Sequence, residues 1–571
     1  MNEIEGNVVN SEPARLRKEL SLRDLYFTAL TAVIGTGWIF ASYYTAEYVG
    51  PAAILSWIIG GIFMLIIAIP YAELGSSVPV SGGVARYPGY THGPLAMAFS
   101  GWSSMIPLLV TPAGEAVGVL SVIQTVSVYY KVPINFVVNG EPTFSGAMLA
   151  LVIVAIIFWI NYTGIKKVKY TNASISYLKL VIIPLAFISI IVVGLQVGLG
   201  SNFVTPSFAP FGYGVIFTAL PATGIVYAYQ GFRQPIDMAA DAKNPGKDIW
   251  RAILLEVVTS IVFYTLLQVG FIYGLKWNNS VVGTTGLSPG SWNSLTPSLF
   301  TSTFPLFYVS LGLGLFFIAV LLIIGGIIGP IAETNQSTAA GSRIMYGLAN
   351  ERILPKPFTS VHGRYKIPTL GVLIMFIVTI FFMIMGVIGY LVSNVGAAWT
   401  ALVSIISSTT VFAYMTGPIS AVIIHKSYPE LDRPFKVRGL SLFAILATVI
   451  SGLIVYWGIG SFYTPKTPYD PYILIASMII VSFLLWLGHE SHEQVKNPWR
   501  DLKGASWMII FLIAIGFFVK FGEFGTNSLP LPYDWIGVII LCILMYFLAI
   551  WTSLPKDQIK KLVDEGLSRK E

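Results

Sequence analysis

The chain contains 571 residues, of which 55% are hydrophobic and only 11% are charged. A soluble domain carries about 25% charged residues, so a chain of this length lacks the charge needed to cover its water-facing surfaces. The composition excludes an ordinary soluble protein and indicates an all-α polytopic membrane protein, since helices satisfy their own backbone groups in lipid.

About 20 apolar residues cross the hydrocarbon core as a helix. The N-terminus is polar and lacks the short apolar region and cleavage site of a signal peptide. Beyond it, fourteen segments are apolar enough to be predicted as spans. In chain order they are 25–49, 52–72, 95–127, 146–163, 175–198, 214–239, 252–275, 308–345, 368–392, 397–425, 440–462, 471–489, 506–520 and 534–553.

The distribution of lysine and arginine predicts the orientation, because cytoplasmic segments carry the excess of basic residues. With the N-terminus inside, only four of the 34 basic residues lie outside, namely Lys131, Lys276, Lys466 and Lys520. Both termini are therefore predicted to be cytoplasmic, in a multi-pass protein of the cell membrane. Basic loops beside a membrane also explain the net charge of +7 without nucleic acid.

The sequence offers little basis for catalysis or metal binding. Cys542 is the single cysteine, so an internal disulfide and a cysteine-based metal cluster are excluded. No HExxH or GxxxxGK(S/T) motif is present. We expect no enzyme activity, no metal and no cofactor. The five histidines fall in or beside polar connections, where we expect surface groups: His92, His362, His425, His489 and His492.

Spans one and six contain residues that interrupt helices. Span one carries Gly35, Thr36 and Gly37, and each glycine weakens a helix by about 1 kcal/mol relative to alanine. Span six carries Pro221 to Gly224 and then Tyr227 to Arg233. Small residues also serve close packing between helices. The paired positions, each in the first helix of a five-helix unit, favour an inverted repeat with a binding site at the interruptions.

A broken helix bares N–H groups, which attract an anion, and carbonyl oxygens, which attract a cation. A zwitterionic amino acid presents both charges on one carbon. We therefore predict its carboxylate near the amides of Thr36 and Gly37, and its ammonium near the carbonyls of Val33, Tyr227 and Gln230.

Short motifs occur in a defined order along residues 20–440. They are Gly35-Thr36-Gly37 with Ile39-Phe40; Tyr71-Ala72-Glu73-Leu74 with Pro79, Gly82-Gly83, Tyr87, Gly93 and Gly101-Trp102; Ala228-Tyr229-Gln230-Gly231-Phe232 with Lys243-Asn244-Pro245; Ser342-Arg343 with Tyr346, Ala349, Leu354-Pro355-Lys356, His362, Arg364-Tyr365 and Pro368; and Pro434-Phe435-Lys436-Val437. Together they resemble the amino acid–polyamine–organocation (APC) transporter family. The resemblance implies a LeuT-like fold with a five-plus-five inverted repeat, and transport of amino acids or amines that is often proton-coupled.

The resemblance also implies the binding residues. Tyr227 matches the aromatic side chain that covers bound substrate from outside. Two main-chain stretches match the site for the amino-acid backbone: Val33, Ile34, Gly35, Thr36 and Gly37 in span one, and Tyr227, Ala228, Tyr229, Gln230 and Gly231 in span six.

The implied repeat divides the chain into five parts, with spans eleven to fourteen as an addition to it. We expect a cytoplasmic N-terminal segment (1–24), a first five-helix repeat (25–198), an inverted second repeat (199–425), accessory helices (426–553) and a cytoplasmic tail (554–571).

Ionisable residues within spans are costly and therefore candidates for function. The resemblance implies that Lys179 in span five occupies the place of a sodium ion in sodium-coupled relatives; the alternative is a lysine that reaches the inner interface. Glu115 in span three is predicted to face the substrate or pass on a proton, or else to be a structural carboxylic acid. Glu333 in span eight is predicted to pair with Lys179. All three are proton-coupling candidates.

Arg233 departs from the resembled family, which has an acidic residue at this place. Asp237 stands four residues later, on the same helical face. We predict that these two residues form a charge pair, rather than that Arg233 contacts an acidic substrate.

The leading functional hypothesis is a proton-coupled amino acid symporter. An exchanger on the same scaffold, a transporter of polyamines or other organic amines, and a nutrient sensor without net transport stay open. The predicted partners are a small amino acid, protons and the lipid bilayer, with no obligate protein partner.

Overall fold

The computed structural model describes residues 18–138, 141–163, 165–295, 303–392, 398–463, 468–490 and 497–569. The described part is almost entirely helical, as the composition predicts. Its two short strands, β1 (Val137–Val138) and β2 (Glu141–Pro142), form an antiparallel pair in the connection between spans three and four.

Up to Gly274, the described residues form eleven helices, numbered in chain order. They are α1 (Leu22–Val33), α2 (Gly37–Val49), α3 (Ala53–Ser77), α4 (Gly83–His92), α5 (Pro94–Tyr129), α6 (Phe144–Tyr162), α7 (Ile165–Gln196), α8 (Val215–Ala222), α9 (Ile225–Ala228), α10 (Gln234–Asp237) and α11 (Pro245–Gly274).

The second half continues the numbering. Its helices are α12 (Pro305–Gly312), α13 (Phe316–Asn350), α14 (Thr369–Val392), α15 (Ala398–Ser427), α16 (Leu440–Gly460), α17 (Asp470–Glu490), α18 (Pro498–Phe521), α19 (Tyr533–Thr552) and α20 (Lys556–Ser568). Short 3₁₀ helices in both halves are Gly50–Ala52, Leu199–Phe203, Gln230–Arg233, Ala239–Asp241, Trp292–Ser294 and Lys356–Thr359.

Eleven helical stretches within the described residues are long and apolar enough to cross a membrane. Every predicted span falls on helix, but predicted spans one and six are divided into pieces too short to cross the hydrocarbon core alone. Predicted span nine contains a shorter apolar stretch, Thr369–Met385. The chain is thus a polytopic membrane protein whose crossings are not all continuous helices.

Span one is interrupted where its glycines predict. α1 ends at Val33, α2 begins at Gly37, and Ile34 has φ −95° and ψ 70°, outside the helical region. The start of α1 is fixed by a capping box, in which the Ser21 side chain and the Asp24 side chain each bond the other's backbone. The interruption therefore separates two regular helices.

Span six is interrupted over a longer stretch than span one. α8 ends at Ala222, and Gly224 adopts φ +92°, a left-handed conformation that a glycine tolerates. α9 has only four residues, and a 3₁₀ turn, Gln230–Arg233, follows it. The chain from Thr223 to Arg233 therefore contains no complete regular helix.

α5 and α15 are the most buried of these eleven stretches. In their apolar segments 83% and 94% of the residues are buried, whereas 28% are buried in α6 and in α17. α5 packs against both α13 and α15. Peripheral helices direct large apolar side chains outward, as Trp159 and Leu484 do, which fits contact with lipid.

The prediction that the histidines are surface groups is wrong for two of the four that the structure describes, and His492 lies outside the described residues. His92 is 1% exposed, with Nε2 2.9 Å from the carbonyl oxygen of Ala549. Burial lowers the pKa of His92 to about 4, and His489 is also buried. The polar connection that carries His92 is enclosed because the accessory helices pack over it, which a hydropathy pattern does not reveal.

The C-terminal helix α20 packs on the ends of spans. It buries Ile559 and Val563, and Arg569 donates a hydrogen bond of 2.8 Å to the carbonyl oxygen of Asn350 at the end of α13. Arg569 also pairs with Glu351, which Arg86 of α4 contacts at 2.6 Å. The tail is thus bound to the span bundle.

Candidate functional site

The interruption in span one frees carbonyl oxygens of α1, and side chains from other helices bind them. In a continuous helix the carbonyl of Thr31 would accept from Gly35; here the ammonium of Lys179, on α7, donates to it at 3.1 Å. The carbonyl of Val33 accepts a hydrogen bond of 2.5 Å from the hydroxyl of Tyr264, on α11. The end of α1 is therefore held by two neighbouring helices.

The other side of the interruption donates to a carboxylate. The backbone N–H of Thr36 lies 2.7 Å from Oε2 of Glu115, and the hydroxyl of Thr36 lies 2.6 Å from Oε1. The hydroxyl of Tyr227, from span six, also donates to Oε1 of Glu115. Three donors from both interrupted spans thus converge on one fully buried carboxylate.

A second carboxylate lies against the same interruption. A Cβ placed on Gly35 would lie 1.6 Å from Oε2 of Glu333 and 2.5 Å from Oε2 of Glu115. A side chain at this position would therefore displace the carboxylates, which face each other across the space that Gly35 leaves open. Oε2 of Glu333 is buried and has no hydrogen-bond partner among the described residues.

Thr36, Glu115, Lys179, Tyr227 and Glu333 are called the polar centre below. Each is at most 5% exposed. The centre brings together all three proton-coupling candidates and the predicted aromatic. Within the described part of the chain Lys179 forms no direct ion pair with Glu333, because its ammonium is directed to Thr31. The predicted direct pairing of those two side chains is therefore not formed in this structure.

Gln230 of span six forms hydrogen bonds with span ten. Its main-chain oxygen accepts from the Tyr414 hydroxyl at 3.2 Å, and its Oε1 accepts from the Thr410 hydroxyl at 3.2 Å. Its Nε2 is buried and has no partner among the described residues. Tyr229 points away from the polar centre, because its hydroxyl donates to the Trp57 carbonyl at 2.9 Å.

Small residues let spans one and six approach closely. A Cβ on Gly37 would lie 3.3 Å from Cβ of Ala228, and one on Gly231 would lie 2.5 Å from the carbonyl oxygen of Ala29. Ile34 is buried beside them, with its N–H bonded to Leu30. The two main-chain stretches predicted for the amino-acid backbone site thus lie against each other. The Tyr229 side chain is buried on the side away from this site.

Arg233 and Asp237 form the predicted charge pair. Nε of Arg233 lies 2.8 Å from Oδ2 of Asp237, and both side chains are almost completely buried. The Nη2 group of Arg233 also donates to the Ser104 carbonyl at 3.3 Å, and its guanidinium lies 5.9 Å from the ring centroid of Tyr414. The pairing is confirmed.

Several main-chain groups predicted to bind substrate are engaged within the protein. The carbonyls of Val33 and Gln230, predicted for an ammonium, accept from Tyr264 and Tyr414. The Thr36 amide, predicted for a carboxylate, donates to Glu115. Neither tyrosine was predicted from the sequence, because each lies among other polar residues of its span, as Tyr264 does near Ser260 and Tyr414 near Thr410.

The fold and this site define a class: a multi-pass membrane protein with two interrupted spans around a buried, charged centre. The profile of the amino acid permease family matches residues 20–485. The chain belongs to this family and is a membrane transport protein.

Three curated relatives, all from Bacillus subtilis (strain 168), resemble the chain over most of its length. The glutamate/serine transporter AimA is 28% identical over 96% of both chains. The aspartate-proton symporter is 29% identical over 96% of this chain and 99% of its own. The methylthioribose transporter is 28% identical over 80% of this chain and 90% of its own.

Proposed function

We propose that this chain is a secondary transporter that carries amino acids together with protons across the cytoplasmic membrane by alternating access. Membership of the amino acid permease family supports transport. The similarity to a glutamate/serine transporter and to an aspartate-proton symporter, each over 96% of this chain, supports amino acids as substrates and protons as the coupling ion.

The charges of the polar centre are the main support for proton coupling. Lys179 contributes one positive charge, and Glu115 and Glu333 contribute two negative charges when both are ionised. A net charge buried at membrane depth is expensive, and two adjacent carboxylates favour sharing a proton. The centre is neutral when the pair of glutamates holds one proton, so it provides a binding site for the coupling ion.

The substrate site lies between the two interruptions in this proposal. The main chain of Val33–Gly37 and of Tyr227–Gly231 surrounds the α-amino and carboxylate groups, and Tyr227 covers them from outside. The unpartnered Nε2 of Gln230 is a donor available to a substrate oxygen. The buried pair of Arg233 and Asp237 holds span six against spans three and ten.

The proposed architecture is a five-plus-five inverted repeat, residues 25–198 and 199–425, with accessory helices in 426–553. The paired interruptions in spans one and six support it. The excess of basic residues in alternate connections supports cytoplasmic segments 1–24 and 554–571.

Purified protein in lipid vesicles with an imposed inward proton gradient tests the proposal. Labelled L-glutamate, L-aspartate and L-serine should accumulate, and a protonophore should abolish the accumulation. Uptake that requires internal amino acid and ignores the protonophore would replace symport with exchange. Binding without uptake would indicate a sensor.

A competition arm tests the solute class. Unlabelled amino acids should inhibit the labelled uptake, whereas methylthioribose and polyamines should not. Inhibition by those solutes alone would contradict an amino acid substrate.

A further inference from the structure

A carboxylate of the chain itself occupies the anion-binding side of the span-one interruption. Glu115 accepts the backbone N–H of Thr36 at 2.7 Å and its hydroxyl at 2.6 Å. This N–H precedes α2, a helix of thirteen residues, whose dipole and free amides favour an anion. It is also the place predicted for the carboxylate of an amino acid substrate.

We propose that Glu115 is an internal competitor of the substrate: its ionised carboxylate holds the Thr36 amide, and protonation of Glu115 releases that amide to the substrate carboxylate. The inference rests on the proposed function and adds the step that links the proton to the substrate. Binding of the proton and binding of the substrate are then coupled, because protonation of Glu115 frees the amide that the substrate carboxylate needs.

Hydrogen-bond chemistry provides the physical reason. An ionised carboxylate accepts charge-assisted hydrogen bonds about twice as strong as those of a neutral acceptor. A protonated Glu115 therefore holds Thr36 weakly and becomes a donor. The incoming substrate carboxylate, which stays ionised, then binds the Thr36 amide more strongly than Glu115 does.

Glu333 supplies an acceptor for the released acid. Its Oε2 is buried, has no partner among the described residues, and lies against Gly35 beside Glu115. The O–H of protonated Glu115 can donate to this oxygen, so the proton is held between two carboxyl groups while the substrate is bound. The proton enters from the solution on one side and returns to the solution on the other.

The groups that face Glu115 come from four helices. They are Glu333 on α13, Lys179 on α7, Tyr227 on α9 and Tyr264 on α11.

Other charges that pack on α5 are paired or lie near helix ends. Arg233 contacts α5 at Ser104, but its charge is paired with that of Asp237. α6 and the described part of α14 contain no Asp, Glu, Lys or Arg. Charged residues of α4, α15, α17 and α18 lie near the ends of those helices or pair elsewhere, as Arg86 does with Glu351. The pH dependence is therefore assigned to the polar centre.

Binding of labelled L-serine to the full-length protein in nanodiscs, measured over a pH series, tests the competition. In wild-type protein, affinity should rise up to tenfold for each pH unit of acidification over the range in which one proton is taken up. Glu115→Gln should remove this dependence and bind serine about tenfold tighter than wild type at alkaline pH, since a neutral amide accepts less strongly. A pH slope that survives in Glu115→Gln would overturn the inference.

Glu256→Gln is the matched control. Glu256 is also fully buried in a span, but its Oε1 accepts from the Ser260 hydroxyl at 2.8 Å instead of from the interruption. This variant should retain the wild-type pH slope. Loss of the slope in both variants would overturn the assignment to Glu115.

Ethanolamine, which is serine without its carboxylate, separates competition from a general effect of charge. Its affinity should change less than about twofold in Glu115→Gln, because it does not use the Thr36 amide. An equal gain for ethanolamine and serine would contradict displacement of one carboxylate by another.

Thr36→Ala keeps the test usable if Glu115→Gln does not fold. It removes one donor to Glu115 and retains the backbone amide, so serine should bind more tightly at alkaline pH, by about threefold. Thr36→Ser retains the hydroxyl and should behave as wild type; equal affinities for the two variants would overturn the inference.

If wild-type protein neither binds nor accumulates any labelled amino acid, the proposed function itself fails. If wild-type protein accumulates amino acids but Glu115→Gln keeps the wild-type pH slope of binding, only the competition is rejected.

Discussion

Lys179 and Thr31 are joined across spans five and one by a hydrogen bond of 3.1 Å from the ammonium to the main-chain carbonyl. That carbonyl is free because the interruption removes the amide that would bind it in a continuous helix. The lysine therefore supports the end of α1 and supplies the positive charge of the polar centre.

Lys179→Ala should abolish proton-driven accumulation while leaving measurable substrate binding. The substitution removes a charged hydrogen bond, which contributes about 1.5–3 kcal/mol, and leaves two glutamates without a cation. Uptake under a pH gradient should fall by more than about tenfold, measured in vesicles against equilibrium binding.

Lys276→Ala is the matched control for that experiment. Lys276 also donates to a helix-end carbonyl, Gly312, at 2.6 Å, but it lies in the connection between spans seven and eight. Accumulation should persist in this variant. Normal accumulation in Lys179→Ala would remove Lys179 from the mechanism.

Gly35→Ala should give a folded protein in which substrate uptake is no longer driven by the proton gradient. The new Cβ would fall 1.6 Å from Oε2 of Glu333, and that oxygen is the far end of a flexible side chain, so the carboxylate moves rather than the backbone. Thermal unfolding should resemble wild type, whereas gradient-driven uptake should fall by more than about tenfold.

Gly270→Ala provides the comparison, because its Cβ would meet only Phe187 atoms at 3.3 Å or more. It should keep both stability and uptake. A Gly35→Ala protein that accumulates substrate normally would show that the position of Glu333 is unimportant.

Arg233→Ala should destabilise the protein strongly. It leaves the buried Asp237 carboxylate without its cation, and breaking a buried pair costs about 3–5 kcal/mol. Thermal or denaturant unfolding in detergent measures the loss, and the double variant Arg233→Ala with Asp237→Ala should recover part of it.

The exposed pair of Lys561 and Glu565 has the same four-residue spacing in α20, with 75% and 47% of the side chains exposed. Lys561→Ala should change stability by less than about 1 kcal/mol. Equal losses in the two single variants would contradict the importance of burial for the pair in span six.

Glu351→Gln should remove a pH-dependent contribution to stability at the C-terminal end of α13. Burial alone would raise the pKa of Glu351, but Arg86 and Arg569 outweigh it and lower the pKa below its usual value. The contribution is therefore full above the ordinary glutamate range and disappears as pH falls through the lowered pKa. Unfolding temperatures of wild type and variant should differ at neutral pH and converge in acid.

Glu430→Gln serves as the reference for Glu351, since Glu430 is 67% exposed and lies 3.9 Å from Lys560. Its unfolding temperature should match wild type at every pH. A difference between wild type and Glu351→Gln that grows on acidification would reverse the predicted sign.

Hydropathy predicted the eleven stretches that are long and apolar enough to cross a membrane, and glycine positions predicted both interruptions, because lipid imposes length and helix requirements that are local in sequence. The contacts of the interruption were not predictable in the same way. Glu115 lies 79 residues from Thr36, and whether it faces Thr36 depends on the rotation of α5 about its axis, which tertiary packing decides. For the same reason, Tyr264 at the Val33 carbonyl was missed.

The pair of Arg233 and Asp237 was predictable since both partners lie on one helical face. The enclosure of His92 was not, because it depends on helices more than 400 residues further along the chain.

Because Arg569 is hydrogen-bonded to Asn350, a label at the end of α20 would report movement of α13. A fluorophore attached just beyond α20 would lie beside the C-terminal end of α13, the helix that carries Glu333 at its middle. Changes in its emission during a substrate pulse would follow rearrangement of that helix in real time, with no label inside the permeation route.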